Sequence, residues 1–302
     1  MNKKKINLLI TALPFLSLTK STKYLLKKKN IQYDLLPKNK KIQNYNIEKY
    51  DAIIAGVETY DKKILSKANK LKLISRVGIG TDSIDLEFCK KRRIKVLKVK
   101  SPNEAVAEYS IAAIISSLRC FSIMNHDLHN GKWKPVLGKS LSESTVGIIG
   151  YGKIGKLISK YLLALNVEKI LVHDIRKFKN TNKILFCSKK KIFDKSDIIS
   201  LNIDLNQKTQ NFLSFKEINS IKKPISIINT SRGKIINEKA LLKGLKNKKI
   251  KNIFLDVFNE EPYSGEITKF GNCMITPHIS SFTNKCRQEM ESQAITNLLD
   301  SI

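Results

Sequence analysis

Acidic residues are scarce in this chain: 26 Asp and Glu stand against 56 Lys and Arg in 302 residues, a formal charge of +30. A surplus of that size admits a nucleic acid, an anionic surface or an acidic small molecule as partner. The lysine runs Lys27 to Lys29, Lys38 to Lys41 and Lys189 to Lys191 have no interleaved aromatics and no nucleic-acid motif beside them. They read as solvated faces in a chain rich in Lys, Asn and Ile, and nucleic acid is not the expected partner. Paired cysteines are also missing. Cys89, Cys120, Cys187, Cys273 and Cys286 are odd in number, widely spaced and without a C-x-x-C pair. That excludes a disulfide framework and points to a reduced, cytoplasmic compartment. Of only four histidines, His126 and His129 share a helix face, but no cysteine or carboxylate pattern accompanies them, so no metal site is expected. No apolar stretch has the length of a membrane span. The run from Ile6 to Leu18, with lysines before it, imitates a secretory signal; Pro14 interrupts it and no small-x-small cleavage site follows. It reads as a first strand, Ile6 to Ala12, leading into a loop.

What is present is ordinary globular material, with 42% apolar and 27% charged residues. A length of 302 residues exceeds one usual core, so two domains are expected. Strand-like runs at Ile31 to Leu36, Asp51 to Val57, Leu71 to Val77 and Ile94 to Val99 alternate with helical patterns at Tyr24 to Lys29 and Lys62 to Asn69. Such alternation predicts parallel β/α winding. Pro102 then opens a long apolar helix, Asn103 to about Met124, followed by a loop with Trp133. From Thr145 the alternation resumes, with strands to Ile149, Asp174, Leu201, Thr230 and Val257 and helices to Leu165, Ile221 and Lys246. A last amphipathic segment, Asn284 to Leu299, is placed to return to the first domain.

Within the second half, VGIIGYGKIGK puts Gly150, Gly152 and Gly155 in the G-x-G-x-x-G register directly after a strand. The first glycine permits the tight turn, the second lets a pyrophosphate approach the backbone, and the third lets helix and strand pack closely. The pyrophosphate would rest on the free N–H groups of the helix beginning near Lys153. Taken alone, the triplet also fits a purely structural strand-to-helix turn. Asp174, ending the next apolar run, lies where a carboxylate takes ribose hydroxyls and repels a 2′-phosphate, which favours NAD; Arg176, two residues on, leaves the phosphate open. In the first half, SRVGIGTDSID sets two glycines beyond a strand's carboxyl end. There the N–H groups of Val77 and Gly78, with the charge of Arg76, suit a substrate carboxylate; a plain loop with a helix cap at Asp82 is the other reading.

Three polar residues follow apolar runs where a sheet would present them to a crevice: Arg232 in NTSRG, Glu261 in NEEP and His278 in TPHIS. Each alone has an ordinary alternative as a surface ion pair, a turn carboxylate or a loop histidine. Together they suit 2-keto acid reduction. A histidine holds and delivers a proton near neutral pH. A carboxylate on its other ring nitrogen fixes the tautomer and stabilises imidazolium. An arginine grips the substrate carboxylate through its planar fork and polarises the carbonyl.

With LKLISRVGIGTDSIDL, SPNEAVAEYSIAAIIS, GKWKPVLGKSL, INTSRGKIIN, FLDVFNEEP and TPHIS in this order, the chain resembles the D-isomer-specific 2-hydroxyacid dehydrogenases over nearly its whole length, and among them is similar to phosphoglycerate dehydrogenases. The resemblance implies an α/β fold of two doubly wound parallel-sheet domains, with a Rossmann domain for NAD at 100–279 inserted into a flavodoxin-like substrate domain at 1–99 and 280–302. It implies a catalytic triad of Arg232, Glu261 and His278. The cofactor set is Gly150, Tyr151, Gly152, Lys153, Ile154, Gly155, Asp174, Ile175, Thr230, Ser231, Arg232, Asp256 and His278, with Thr230 and Asp256 on the nicotinamide side. Arg76, Val77, Gly78, Arg232 and His278 are the implied substrate contacts, and a homodimer is implied through the helix after Pro102. The expected reaction interconverts a D-2-hydroxy acid and its 2-keto acid, with 3-phosphoglycerate first and glycerate, lactate or another 2-hydroxy acid as alternatives. An NAD-sensing corepressor-like binding protein is the non-enzymatic alternative.

Departures from the family pattern are local. A His-x-Pro-Leu-Thr loop common in relatives is replaced by Asn202, Ile203, Asp204, Leu205 and Asn206, with only Thr209 kept. Phosphoglycerate dehydrogenases often carry an arginine after the strand matching Asp51 to Ala55, where this chain reads AGVET. The chain ends after the closing helix, so feedback inhibition by serine through a C-terminal regulatory domain is not expected.

Overall fold

A computed structural model of the chain describes residues 5–100 and 103–302. Pro102, expected to open the long helix, and the first lysines of the N-terminal run lie outside the described residues. The chain divides into two compact units, 1–102 with 282–302, and 103–281.

Unit 1 is a parallel five-stranded sheet in the order β2-β1-β3-β4-β5. Its strands are β1 (Ile6–Ile10), β2 (Ile31–Leu35), β3 (Ala52–Ala55), β4 (Leu73–Arg76) and β5 (Lys95–Lys98). That order is the flavodoxin-like one. Helices α1 (Lys20–Lys28), α2 (Lys62–Leu65) and α3 (Leu86–Lys91) connect the strands. Each begins where a side chain satisfies an otherwise orphaned N–H: Thr19 caps α1, Asp61 caps α2 and Asp85 caps α3. The expected helix from Lys62 to Asn69 is only one turn long, Lys62–Leu65, and α3 had no strong period in the sequence to announce it. The central strand β3 reads AIIA and is buried throughout, because helices cover both faces of a parallel sheet.

Unit 2 begins with α4 (Asn103–Leu118) and α5 (Phe121–His129). A single helix to about Met124 was expected. Cys120 instead adopts φ 57° and ends α4, and the side-chain amide of Asn252 donates to the carbonyl of Ser117 at 2.9 Å, a carbonyl that a continuing helix would have used. The unit's seven strands are β6 (Thr145–Ile149), β7 (Lys169–His173), β8 (Ile184–Phe186), β9 (Ile198–Leu201), β10 (Ile225–Asn229), β11 (Ile250–Leu255) and β12 (Cys273–Ile275). They run parallel in the order β12-β11-β10-β9-β6-β7-β8, the Rossmann arrangement extended by one strand. Helices α6 (Lys153–Ala164), α7 (Lys189–Lys195), α8 (Phe215–Ser220) and α9 (Glu238–Lys246) make the crossovers. In α6 the buried residues Gly155, Ile158, Ser159 and Leu162 recur at helical spacing and form the stripe that meets the sheet. The lysine run of α7 is not wholly a solvated face. Ile192 and Phe193 beside it are buried, and Lys189 pairs with Glu217 at 2.8 Å.

The chain returns to unit 1 as α10 (Asn284–Leu299), capped by Thr283 and packed on β3, β4 and β5. The hydroxyl of Ser75 donates to the carbonyl of Ala294 at 2.9 Å, tying this helix to the centre of the sheet. No single helix among the described residues is long and apolar enough to cross a membrane.

Candidate active site in unit 2

The glycine turn between β6 and α6 has the geometry of a nucleotide cradle. Gly150 sits at φ 92°, where a side chain is strained, and a Cβ there would also strike the carbonyl of Asn202. A Cβ on Gly155 would collide with the carbonyl of Gly150, so glycine is required for α6 to start this close to β6. Gly152 differs. A Cβ there would meet nothing within 4 Å, and Gly152 is the N-cap of α6 with no side chain to occupy the helix's first N–H groups. Those groups, from Lys153 to Gly155, form the positive end of the helix, a setting suited to an anion such as a pyrophosphate.

Asp174 follows β7 and faces this turn. The N–H of Tyr151 donates to its Oδ2 at 2.7 Å, and the N–H of Arg176 to its Oδ1 at 2.8 Å. Burial works to raise the pKa of this carboxyl, but those two N–H groups and the Arg176 guanidinium outweigh it and hold it below the usual carboxylate range. Asp174 is therefore an anion, ready to accept from ribose hydroxyls. Ile175 beside it is fully exposed. The unusual loop after β9 is held from within. Asn202 bonds back to Ser200, and the hydroxyl of Thr209 donates to the carbonyl of Asp204 at 2.6 Å while accepting the N–H of Asn206 at 2.8 Å.

At the other strand ends, the three expected catalytic residues lie in this same unit. His278 Nδ1 and Glu261 Oε2 are 2.8 Å apart. Burial pushes the Glu261 carboxyl up, but the His278 ring, the N–H of Phe258 and the charge of Arg232 together hold it below its ordinary value. An ionised carboxylate only accepts, so Nδ1 carries the proton that bonds to Glu261 and Nε2 is left for chemistry. The N–H of Phe258 reaches the other oxygen, Oε1, at 3.0 Å and fixes the carboxylate plane.

His278 is itself in an unusual conformation, φ 55°, which costs a side-chain-bearing residue about 1–2 kcal/mol. Asp256 supports it. Fully buried after β11, its Oδ1 accepts from the N–H of Ile279 at 2.7 Å and the hydroxyl of Thr276 at 2.8 Å, and its Oδ2 from the N–H of Ser280 at 2.8 Å. The N–H of His278 donates to the Asp256 carbonyl at 2.9 Å. Asp256, expected on the nicotinamide side, thus builds the turn that aims His278. Its role there was not evident in the sequence, since no local pattern links residue 256 to residues 276–280.

Arg232 stands on the loop after β10. Asn229 shapes that loop by donating to the Arg232 carbonyl at 2.9 Å and accepting from the Ser231 N–H and hydroxyl. Arg232 Nη1 donates to the carbonyl of Ser231 at 2.7 Å. A Cβ on Gly233 would overlap the backbone of Phe258, so glycine at this place lets the Arg232 loop lie against the loop leading to Glu261. Thr230 is buried, its hydroxyl 3.0 Å from that of Ser110 in α4.

The expected substrate contacts Arg76, Val77 and Gly78 belong to unit 1. Arg76 is buried; its Nη1 donates to the carbonyls of Val77 at 2.6 Å and Ala55 at 3.4 Å, holding the ends of β3 and β4 together. Beside it, the sequence missed a second polar group. The Thr11 hydroxyl donates to Glu58 Oε2 at 2.8 Å and lies 2.7 Å from the Tyr60 hydroxyl. A Cβ on Gly56 would collide with both oxygens of Glu58, so the carboxylate folds over the glycine.

Comparison with known proteins agrees with this geometry. Residues 111–280 match the family model described as "D-isomer specific 2-hydroxyacid dehydrogenase, NAD binding domain". A glyoxylate reductase of Thermofilum pendens is 32% identical over 268 residues, covering 84% of this chain and 79% of that one. A hydroxypyruvate reductase of Thermotoga maritima is 31% identical over 246 residues, 79% of this chain and 80% of that one. Among solved structures, the D-lactate dehydrogenase of Aquifex aeolicus, complexed with NAD and lactic acid, superposes with a TM-score of 0.82 at 25% identity, covering 97% of this chain and 94% of that one.

Proposed function

Because the chain belongs to the D-isomer-specific 2-hydroxyacid dehydrogenase family and is an NAD-dependent oxidoreductase of that kind, we propose that it reduces glyoxylate and hydroxypyruvate to the corresponding 2-hydroxy acids. The observation that carries the reading is the His278–Glu261 pair at 2.8 Å, set in one unit with the nucleotide turn. The reduced cofactor, NADH, would supply the hydride, and Gly152, the N–H groups that begin α6 and Asp174 would hold it. His278 delivers a proton from Nε2 to the carbonyl oxygen in reduction and receives it in oxidation. Glu261 keeps the ring in the tautomer this needs and stabilises the imidazolium. Arg232 neutralises the substrate carboxylate.

Two considerations favour glyoxylate and hydroxypyruvate over the phosphorylated substrate expected first. The two relatives reported above by sequence identity over most of the chain, from Thermofilum pendens and Thermotoga maritima, are named for glyoxylate and hydroxypyruvate. In addition, Gly56 overlaid by the Glu58 carboxylate stands where phosphoglycerate dehydrogenases often have an arginine, and a carboxylate there repels a phosphate. Arg76 is a strut for backbone carbonyls before it is a phosphate ligand. The alternatives differ in an assay following NADH oxidation with glyoxylate, hydroxypyruvate, pyruvate and phosphohydroxypyruvate. Turnover should be highest with the first two; preference for phosphohydroxypyruvate, or no turnover of either favoured acid, would sink the assignment. A homodimer is part of the same proposal. Phe121, Leu128, Trp133 and Leu137, all in or just after α5, are exposed in the single chain, Trp133 to 84% and Leu137 to 94%. Sedimentation at micromolar concentration should give twice the mass of 34.4 kDa.

A further inference from the structure

The ribose edge of the nucleotide turn carries more positive charge than its single acidic residue needs. Oδ1 of Asp174 already accepts two donors, the N–H and, at 3.2 Å, the Nε of Arg176; Oδ2 accepts the N–H of Tyr151. The one carboxylate is thus neutralised by the guanidinium in contact with it. Next to this pair stands an aromatic plate. Phe178 stacks on Phe186 at 5.0 Å and meets Tyr151, the residue between the first two glycines, edge-on at 5.2 Å. Two cations hold to that plate from different elements. The Arg176 guanidinium lies 5.3 Å from the Phe178 ring, and Lys156 Nζ, from the first turns of α6, lies 5.2 Å from the same ring and 5.9 Å from Tyr151. Asp174, Arg176 and Lys156 sum to one net positive charge at the place where a coenzyme's adenosine ribose is recognised. Arg176 is 61% exposed in its side chain, and its fork keeps N–H groups that Asp174 does not use.

We propose that this edge accepts a 2′-phosphorylated dinucleotide as well as NAD, with Arg176 and Lys156 as the phosphate contacts and Asp174 as the ribose contact. An isolated aspartate at the end of this strand rejects a 2′-phosphate by like charge. An aspartate already paired, with a second cation held beside it by Phe178, does not. Coenzyme choice is then a matter of degree in this enzyme, and the aromatic plate is what fixes the cations in place.

The test is a calorimetric titration of the full-length enzyme with NAD+ and with NADP+ at one low ionic strength, which needs no substrate and no turnover. The wild-type ratio of dissociation constants, NADP+ over NAD+, should stay within about tenfold, where the like-charge repulsion of an unneutralised aspartate corresponds to a ratio on the order of a thousandfold. Arg176→Ala should raise the ratio by about tenfold and Lys156→Ala by several-fold, since each removes one charge-assisted contact. NAD+ affinity serves as the folding control for each variant. Should Arg176→Ala lose NAD+ as well, Lys156→Gln, which keeps the aliphatic stem, decides the matter through the same ratio. A wild-type ratio of a thousand or more, or a ratio that the Lys156 substitution leaves untouched, overturns the proposal.

Discussion

In both units the first parallel strand turns into a helix, and the two turns have opposite characters. In unit 2 the turn after β6 is glycine-built, and its middle glycine faces open space at the start of α6. In unit 1 the turn after β1 runs through Ala12, Leu13 and Pro14 and is stapled shut by α10. The N–H of Ser17 donates to Glu291 Oε2 at 2.8 Å, and Arg287 Nη2 donates to the carbonyls of Ala12 and Pro14. The same Arg287 nitrogen stands 2.7 Å from Glu291 Oε1, an ion pair by distance whose angle falls outside hydrogen-bonding geometry. Glu291 is fully buried in this arrangement. Similar windings therefore make one turn that offers free N–H groups to an anion and one whose polar groups are consumed by the chain's own C-terminal helix. The fold supplies the place, and the loop residues decide whether it binds anything.

The largest effect that would sharpen this contrast is in the chemistry of unit 2. His278→Ala should lower kcat by about a thousandfold, roughly 4 kcal/mol, while NADH binding persists; a variant that kept full turnover in steady-state kinetics would remove His278 from the reaction. Next is the staple of unit 1. Glu291→Ala leaves a mostly buried arginine and the Ser17 N–H without their carboxylate and should cost about 3 kcal/mol in chemical denaturation. Loss of nucleotide affinity without loss of stability in that variant would break the contrast, because the staple would then serve unit 2's function. Gly152→Val places its side chain in open space, so the fold should survive. NADH affinity should fall about thirtyfold, roughly 2 kcal/mol, by fluorescence titration with an unchanged melting temperature.

The smallest effect concerns Asp197, at the opposite end of the unit 2 sheet. Burial pushes its carboxyl up, but the N–H of Thr145 and the ammonium groups of Lys139 and Lys223, each 2.9 Å from Oδ1, bring the folded pKa below the ordinary value. A carboxyl with a lowered folded pKa contributes stability that is complete above its unfolded pKa and is lost as pH falls through the folded one. Asp197→Asn should therefore destabilise by about 1 kcal/mol at neutral pH, and the difference should shrink in denaturation curves taken progressively below pH 4. A difference constant down to the acid limit would assign the effect to packing.

How far the sequence could be read depended on whether a residue's partner was local. The glycine turn, Asp174 and the strands AIIA and ISIIN are legible because period, turn chemistry and burial act over a few residues. The pattern of α4 ran on past residue 118, since apolar periodicity does not register that Asn252 takes the Ser117 carbonyl from another element. The short helices α3 and α7 and the strand β8 were missed for a related reason. Each is too brief to show a period, and each is stabilised by packing against its unit. Arg232, Glu261 and His278 stood out as polar residues at the ends of apolar runs, but Asp256 as the support of His278, and Glu58 folded over Gly56, needed coordinates.

By itself the sequence determined the winding of the chain, the glycine turn and the residue types able to carry hydride-transfer chemistry, because these follow from short-range sterics and from periodicity. Tertiary structure alone decided which way those groups point. His278 is held at an unfavourable φ by a carboxylate more than twenty positions away, Glu261 is kept ionised by the histidine ring, the Phe258 N–H and Arg232, and Asp174 is neutralised by an arginine that Phe178 holds in place. Hydrogen bonds and charges act over a few ångströms of space, and only folding brings such partners within that range.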